Sequence, residues 1–203
     1  MSPDVEKHLV TSVGTKVYMA LAKGGLVPEH AMILPIQHIP ASTELEEDAQ
    51  KELIAYKAAM REMFKAQGKA CVFWERNFRS QHLQVQVCPV PLEAAEHVEQ
   101  AFRDRGTALK PDFAWQTLEA DAPLPEGVTA KTPYFVVGLP DGSQLYHRAS
   151  KGFPLQFARD VLASEKLLNM PDRIDWKACK TDKETETAHA KAARDAFKPF
   201  APK

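Results

Sequence analysis

The chain has 203 residues, of which 44% are hydrophobic and 26% are charged, and its formal net charge is −1. This composition is typical of a globular protein with one large or two small domains, and the near-neutral charge excludes a general attraction to nucleic acid or to membranes. The three cysteines form no C-x-x-C pair, and we recognise neither a signal sequence nor an apolar run of membrane-spanning length. A cytosolic or nuclear protein with reduced thiols and no membrane partner is therefore expected.

The first part of the chain is predicted to contain two strands and a long helix. Residues 15–21 alternate like a strand and residues 31–36 form a second apolar strand, so the two are expected to pair as neighbours. A capping box of Thr43 and Glu46 predicts the start of a helix that Gly68 ends. The helix has one apolar stripe, which consists of Ala49, Leu53, Tyr56, Met60, Met63 and Phe64.

Residues 71–75 and 82–88 predict a third and a fourth strand, and the Pro89-Val90-Pro91 segment is expected to end the sheet. In the fourth strand, alternation places His82, Gln84 and Gln86 on one face and apolar side chains on the other. Glutamine has little preference for strands, and a buried amide needs hydrogen-bonding partners. This row of nitrogen-bearing side chains therefore predicts a site, or the remains of one.

A second unit follows the first sheet. Residues 92–105 predict a helix closed by Gly106, residues 113–118 predict a strand, and residues 134–147 predict a β-hairpin. Two more helices are expected, at residues 155–168 and at about 182–197. The change of pattern near residue 110 predicts two α+β domains, one at residues 1–110 and the other at residues 111–203.

Motifs along nearly the whole chain resemble those of one known family. The first half contains KGGL at residues 23–26, ILPIQH at 33–38, CVFWERN at 71–77 and HLQVQ at 82–86; the second half contains PYFV at 133–136, FPLQFARDVLA at 153–163 and DW at 175–176. These are similar to C-terminal domains one and two of the CwfJ splicing-factor family, in the branch associated with the lariat debranching enzyme.

The resemblance implies a fold, a location and partners. It implies an α+β fold in which a histidine-triad-like antiparallel sheet with a long helix is followed by a second small α+β domain. It also implies a protein of the nucleus, with the cytoplasm as a second location. Its expected partners are the lariat debranching enzyme, late spliceosome proteins and RNA.

The resemblance also interprets the row of nitrogen-bearing side chains. Active histidine-triad enzymes carry H-x-H-x-H or H-x-H-x-Q, and the middle histidine attacks a phosphate to form a covalent intermediate. Here the middle position is Gln84, whose amide cannot act as that nucleophile, and Gln86 can be neither acid nor base. No catalytic residue is therefore expected, and His82, Gln84 and Gln86 are predicted to be a degenerate triad that binds phosphate. Asn77 either lines the same site or is a turn residue.

Basic side chains near this row are the predicted RNA contacts. Lys57, Arg61 and Lys65 lie opposite the apolar stripe of the long helix, and Arg76 and Arg79 lie at the turn after the third strand. The alternative for the helix residues is an ordinary solvated surface. The alternative for the two arginines is pairing with carboxylates or water.

A zinc site is implied for two histidines. In zinc-containing relatives the first histidine of the motif joins an upstream histidine and a C-x-x-C pair, and His82 and His38 match these two histidines. The intact family carries the C-x-x-C just before the first residue of this chain, so the chain is expected to be a fragment that lacks two of the four ligands. Structural zinc normally needs four protein ligands. No cofactor is therefore expected in this chain, with the two histidines metal-free, weakly metal-binding or simply hydrogen-bonded, and with zinc bound in a longer form.

These inferences favour a binding module without catalysis. It is expected to dock on the lariat debranching enzyme or the late spliceosome and to contact branched RNA during pre-mRNA splicing and intron-lariat turnover. One alternative is a nucleotide or RNA phosphodiesterase of the histidine-triad superfamily in which His82 serves as general acid or base. The other alternative is a purely structural spliceosomal adaptor with a vestigial pocket.

Overall fold

One antiparallel sheet of eight strands runs through the computed structural model, which describes residues 6–202. The strands are β1 (Val10–Val13), β2 (Val17–Leu21), β3 (Ala31–Pro35), β4 (Lys69–Asn77), β5 (Val85–Pro91), β6 (Gln116–Leu118), β7 (Tyr134–Gly138) and β8 (Gln144–Arg148). They are ordered β1-β2-β3-β5-β4-β7-β8-β6. The helices are α1 (Glu47–Ala66), α2 (Val98–Leu109), α3 (Phe157–Leu162) and α4 (Lys183–Phe197). The predicted mixture of helices with an antiparallel sheet is therefore confirmed.

The predicted pairing of the first two strands is confirmed, whereas β5 is displaced from its predicted position. β2 and β3 are antiparallel neighbours over their whole length. β5 begins at Val85 rather than at His82, and it continues through Pro89 and Pro91, which pair with β4. The first residue of β3, Ala31, lies opposite Val87, so β5 has no neighbour on that side beyond Val87 and proline there costs no ladder hydrogen bond.

The long helix α1 forms as predicted along most of its length. Its apolar stripe is buried from Ala49 to Phe64. Gly68 follows the helix with a φ of +69°, a left-handed conformation that glycine adopts without strain. Within residues 6–202, no helix combines the length and the apolar character needed to cross a membrane.

The predicted capping box at the start of α1 is wrong. The helix begins after Glu46, and no side chain caps it. Thr43 lies instead in a separate 3-10 turn, Ser42–Glu44. That turn is held by β4, because the Glu75 carboxylate accepts a hydrogen bond of 3.1 Å from the Ser42 N–H. A long-range contact has therefore replaced the local one.

The second half of the chain extends the sheet of the first half. β7 pairs with β4, from Gly138 opposite Phe73 to Tyr134 opposite Asn77. The predicted hairpin is present, because β7 and β8 pair directly. The two halves predicted to meet near residue 110 thus share one continuous sheet.

Three other predicted elements have different bounds. Residues 92–97 form a 3-10 helix, and α2 continues through Gly106 to Leu109. A Cβ at Gly106 would lie 2.8 Å from Phe113 Cδ1 and 2.9 Å from Trp115 Nε1, so glycine is required by close packing and not by the end of a helix. The helix predicted at residues 155–168 is reduced to the six residues of α3, and the strand predicted at 113–118 to the three of β6.

Each face of the sheet has its own core. α1 and α4 cover one face, where Tyr56 of α1 stacks on Phe197 of α4 with ring centroids 5.8 Å apart. α2 and α3 cover the opposite face, which buries Phe102, Phe157 and Trp74. α4 comes from the end of the sequence but packs against β1 and α1. The end of the chain therefore stabilises its beginning.

Candidate functional site

The row of His82, Gln84 and Gln86 is divided between two places. Alternation holds from Leu83 onward, because Leu83 is buried, Gln84 is exposed and Gln86 is half-buried. Gln84 and Gln86 line a cavity of about 340 Å³ on the face of the sheet that α2 and α3 cover. His82 is not among the lining residues and lies instead beside His38.

Both halves of the chain build the walls of this cavity. Trp74 comes from β4 and Phe135 from β7. Segments on either side of α3 add Leu155, which is 69% exposed, and Trp176, whose ring centroid lies 4.7 Å from the Lys180 ammonium. The cavity thus has an apolar wall that reaches the surface beside a cation.

The charged lining of the cavity is cationic. Lys23, Arg76 and Arg159 line it, and residues 6–202 contribute no carboxylate to the lining. Lys23 is paired with Glu6, which lies outside the cavity. Arg159 is 8% exposed and donates hydrogen bonds to backbone carbonyls at residues 173–174. An anion in this cavity is therefore attracted by guanidinium groups that no carboxylate of the lining neutralises.

Arg76 retains a donor that the protein does not use. Its terminal nitrogens donate at 3.2 Å to the carbonyls of Phe78 and Phe153, and its buried Nε has no hydrogen-bond partner within residues 6–202. Burial lowers the pKa of Arg76, but a guanidinium group remains protonated at neutral pH. A buried donor without a partner costs free energy, so Arg76 retains hydrogen-bonding capacity beyond its two carbonyl contacts.

A buried histidine that the sequence analysis did not single out holds the two glutamines. His30 is 1% exposed, and its Nδ1 accepts a hydrogen bond of 3.1 Å from the Leu26 N–H. Because a backbone N–H can only donate, Nδ1 is unprotonated and the ring proton is on Nε2. Nε2 then donates to Gln86 Oε1 at 2.9 Å, and Gln86 Nε2 donates to Gln84 Oε1 at 3.2 Å. The Gln84 amide nitrogen is left as the free donor at the end of this relay.

His30 makes the stability of the chain depend on pH. Burial, followed by the nearby charge of Arg159, lowers the pKa of His30 to about 3, and the hydrogen bond with Gln86 opposes this shift. Unfolded histidine has a pKa of about 6.5. Between these values the unfolded chain binds a proton that the folded chain does not, so the free energy of unfolding falls as the pH falls. Between pH 7 and pH 5 the expected loss from this group is about 2 kcal/mol.

Urea unfolding at pH 7 and pH 5 measures this loss. In a His30→Gln variant the loss should be smaller than in the unmodified chain by about 2 kcal/mol, because the titrating group is gone. His97→Gln is the matched control, since the His97 side chain is 53% exposed, and it should leave the difference between the two pH values unchanged. The same pH dependence in the unmodified chain and in His30→Gln would contradict a neutral, buried His30.

Asn77 is not brought to the cavity. It is 3% exposed, and its amide nitrogen donates at 2.9 Å to the carbonyls of both Ala130 and Thr132. Its position at the end of β4 thus anchors the segment that leads into β7. The structure gives it a structural contact in place of the ligand contact expected from the resemblance.

Two of the predicted RNA-contacting residues are engaged inside the protein. Lys57 is buried and pairs with Asp121, and Arg61 lies 3.4 Å from the other oxygen of the same carboxylate. Both cations lie over the ring of Phe73, on the face of the sheet opposite the cavity. The single carboxylate of Asp121 pairs with both cations and offsets one of their two charges, a contact that no sequence pattern indicates.

Of the other three predicted RNA contacts, Arg76 and Arg79 both lie over the ring of Phe78, whereas Lys65 is on a different element. Lys65 is exposed near the end of α1. Arg79 is exposed, has a φ of +57° and lies over the ring of Phe78. Of the five basic residues, Arg76 is the one that lines the cavity with Gln84 and Gln86.

His38 and His82 face each other at the surface. Their ring centroids are 3.8 Å apart, the ring planes meet at 72°, and both residues are exposed. Two imidazoles at this separation can each supply one ligand to the same zinc ion. Within the described part of the chain, no third His, Cys, Asp or Glu ligand joins them. These residues therefore fit half of a tetrahedral zinc site.

Comparison with known proteins yields two family matches. The model described as "Protein similar to CwfJ C-terminal" matches residues 1–103, and the model described as "Protein similar to CwfJ C-terminus 2" matches residues 114–201. Together the two matches cover most of the chain. They are the same family, and the same two domains of it, that the motifs resemble.

Individual relatives are similar to the chain over nearly its full length. CWF19-like protein 1 of Xenopus laevis is 46% identical over 205 residues, which cover 98% of this chain and 37% of that protein. CWF19-like protein 1 of Homo sapiens is 43% identical over 201 residues, with the same two coverages. Zinc finger CCCH domain-containing protein 59 of Oryza sativa subsp. japonica is 38% identical over 209 residues, covering 99% of this chain and 34% of that protein. The chain thus spans little more than a third of the length of these relatives.

Proposed function

This chain belongs to the CwfJ family, and we propose that it is a non-catalytic binding module of pre-mRNA splicing and intron-lariat turnover. Family membership supports the splicing-related role. In the proposal, the module works in the nucleus, docks on the lariat debranching enzyme or the late spliceosome, and contacts branched RNA through the cavity beside Gln84 and Gln86.

The observation that carries the proposal is the arrangement of donors in this cavity. The Gln84 amide stands at the position where active relatives place their nucleophile, and the relay from His30 through Gln86 leaves its nitrogen free to donate. An amide and a guanidinium group can both donate to phosphate oxygens, but an amide cannot attack phosphorus. The arrangement supports binding of a phosphodiester without its cleavage.

The apolar wall supports RNA as the source of that phosphodiester. Leu155 and Trp176 lie at the cavity, and Leu155 exposes most of its side chain. Stacking of a base on an aromatic side chain contributes about 1–3 kcal/mol, and RNA is read mainly where bases are splayed out of a helix. A branch point offers both a crowded phosphodiester and an unstacked base.

The charge of the chain sets the expected strength of RNA binding. With a net charge of −1 and few cations free of carboxylates at the cavity, the chain on its own neutralises few phosphates. Its affinity for RNA alone should be modest and should fall as salt is added. Docking on a protein partner then supplies most of the binding free energy in the proposed complex.

Co-purification with the lariat debranching enzyme tests the docking step. We expect the purified chain to bind the enzyme and to change the rate at which it cleaves lariat RNA. A chain that neither co-purifies with the enzyme nor changes lariat cleavage would contradict docking on this partner. Binding that survives a change at Gln84 while the effect on cleavage is lost would place the RNA contact in the cavity.

RNA crosslinking separates this proposal from the purely structural adaptor. Crosslinks are expected near Arg76 and Trp176, because both line the cavity. Crosslinks at the exposed Lys65 and Arg79 would extend the RNA path along the surface. An absence of crosslinks at all four positions, with docking intact, would favour the adaptor.

We also infer that His38 and His82 bind zinc in a longer form of the protein, together with an upstream C-x-x-C pair. The rings are close enough to share one ion and supply half of its ligands. Zinc content should therefore be higher by one ion per chain in a version extended upstream through the cysteines. That additional ion should be lost in His82→Ala; an equal zinc content in both lengths would contradict the inference.

A further inference from the structure

Three side chains from opposite ends of the chain meet beside the first 3-10 helix, Lys7–Leu9. Glu6 and His8 belong to this segment, and Glu186 lies on the first turn of α4. His8 Nε2 is 2.7 Å from Glu186 Oε2 and 3.7 Å from Glu6 Oε2. One ligand atom from each of the three residues lies within 4.8 Å of the other two. The separation of these atoms is that of groups that share one ion.

Hydrogen bonds from residues 6–202 do not satisfy this cluster. Glu186 is only 7% exposed, and its buried Oε1 has no hydrogen-bond partner among the described residues. Glu6 Oε2 is also buried and finds no partner in the described part of the chain, since Lys23 binds the other oxygen of that carboxylate. The single Nε2 of His8 can donate one strong hydrogen bond, and Glu186 Oε2 takes it. Unpaired carboxylate oxygens are costly to bury, and a metal ion would satisfy both of them.

The ligand types suit a zinc ion. One imidazole nitrogen with two carboxylate oxygens is a mixed set that Zn²⁺ accepts, whereas Mg²⁺ and Ca²⁺ prefer oxygen alone. In a tetrahedral zinc site with bonds of about 2.1 Å, ligand atoms lie about 3.4 Å apart. The separation of 3.7 Å between His8 and Glu6 is close to this value. The distance of 2.7 Å between His8 and Glu186 is shorter than this value, and small rotations of either side chain would lengthen it to about 3.4 Å.

A neighbouring cavity provides room for a fourth ligand. It has a volume of about 50 Å³ and lies on the Glu186 side of the cluster, where Arg173, the Gly24–Gly25 turn and His189 also line it but Glu6 and His8 do not. A water molecule needs roughly 10–15 Å³ of such space. A water molecule can therefore complete the coordination, as in zinc sites that have three protein ligands.

We propose that Glu6, His8 and Glu186 bind one Zn²⁺ ion that ties the N-terminal segment to α4. This site is separate from the His38–His82 pair and does not depend on the proposed RNA-binding function. Because α4 packs on the core of the first half of the chain, an ion that binds only the folded state stabilises that contact. The proposed ion is therefore a structural clasp between the two ends of the chain.

Titration of Zn²⁺ into the untagged, chelator-treated chain tests the proposal. Calorimetry should detect one tightly bound ion per chain, and zinc should raise the Tm. Glu186→Gln and His8→Asn should each weaken the affinity at least tenfold and remove the rise in Tm. The double variant His38→Ala/His82→Ala should keep both the zinc affinity and the rise in Tm. Glu6→Gln provides a variant that spares the core, because the Glu6 side chain is 39% exposed, and it should also weaken binding at least tenfold.

Three outcomes would overturn the zinc clasp. One is a chain that shows no saturable binding at millimolar Zn²⁺, in which case the contact between His8 and Glu186 is only a hydrogen bond. Another is binding that Glu6→Gln and Glu186→Gln leave unchanged. The third is binding that disappears in the His38→Ala/His82→Ala variant, which would assign the ion to the histidine pair.

Discussion

Replacing Glu75 with alanine is expected to lower the free energy of unfolding by about 3 kcal/mol. Glu75 is 5% exposed on β4, and its Oε1 accepts hydrogen bonds from the Ser42 N–H and from the Tyr134 hydroxyl. The change removes the acceptor of both donors, and Tyr134 keeps only a contact of 3.3 Å with Ser42 Oγ. It also removes the Ser42 N–H contact that holds the 3-10 turn before α1 to β4. Urea unfolding at pH 7 measures the effect.

Two further variants show whether the hydrogen bonds of Glu75 are responsible. Burial raises the pKa of Glu75 above its usual value of 4.5, whereas the bonds from Ser42 and Tyr134 act in the opposite direction. A raised folded-state pKa means that ionisation of Glu75 costs stability as the pH rises above 4.5. Glu75→Gln keeps an acceptor and removes this cost, so it should destabilise much less than Glu75→Ala.

Glu62→Ala, at an exposed position of α1, is the matched control. A loss below about 0.5 kcal/mol in Glu75→Ala, as for a surface change, would contradict this role.

Changing Gln84 to glutamate is expected to weaken the binding of a short branched RNA at least tenfold, or by about 1.4 kcal/mol. Gln84 is exposed, so the change should leave the fold intact. It replaces the free amide donor by a carboxylate in a cavity whose charged lining is otherwise cationic. A carboxylate repels the phosphate that the amide is proposed to bind. Fluorescence anisotropy with labelled RNA at low salt measures the affinity.

Gln81→Glu is the matched control for this change. It adds the same charge three residues earlier, at an exposed position that does not line the cavity. If both variants weaken binding equally, the effect is one of net charge, and the cavity is not the RNA site. An unchanged affinity for RNA in Gln84→Glu would also contradict the proposal that the Gln84 amide binds the phosphate.

Local patterns predicted the elements whose formation depends on neighbouring residues. The apolar stripe of α1, the alternation after Leu83 and the hairpin of β7 and β8 all follow from periodicity and turn residues. The capping box failed because Ser42 is bound by Glu75, from a strand far along the chain. Gly106 was misinterpreted because its neighbours in the fold, Phe113 and Trp115, determine its role.

The candidate site could be predicted only in part, because many of its contacts join residues that are distant in the sequence. The row of His82, Gln84 and Gln86 is visible in the sequence as a strand pattern. No spacing rule connects Gln86 with His30, which lies 56 residues earlier and forms the relay. The segments that bring Leu155, Arg159 and Trp176 to the cavity come from the second half of the chain. Pairing of β4 with β7, a long-range event, joins the two halves into one site.

Binding without catalysis is tested most directly by incubating labelled branched RNA with an excess of the chain and analysing the RNA on a denaturing gel. The proposal predicts that the RNA is bound and remains intact, because Gln84 cannot form a covalent intermediate. It also predicts no change in the RNA products with His82→Ala, since His82 does not line the cavity. Cleavage of the RNA by the unmodified chain that disappears in His82→Ala would contradict the proposal.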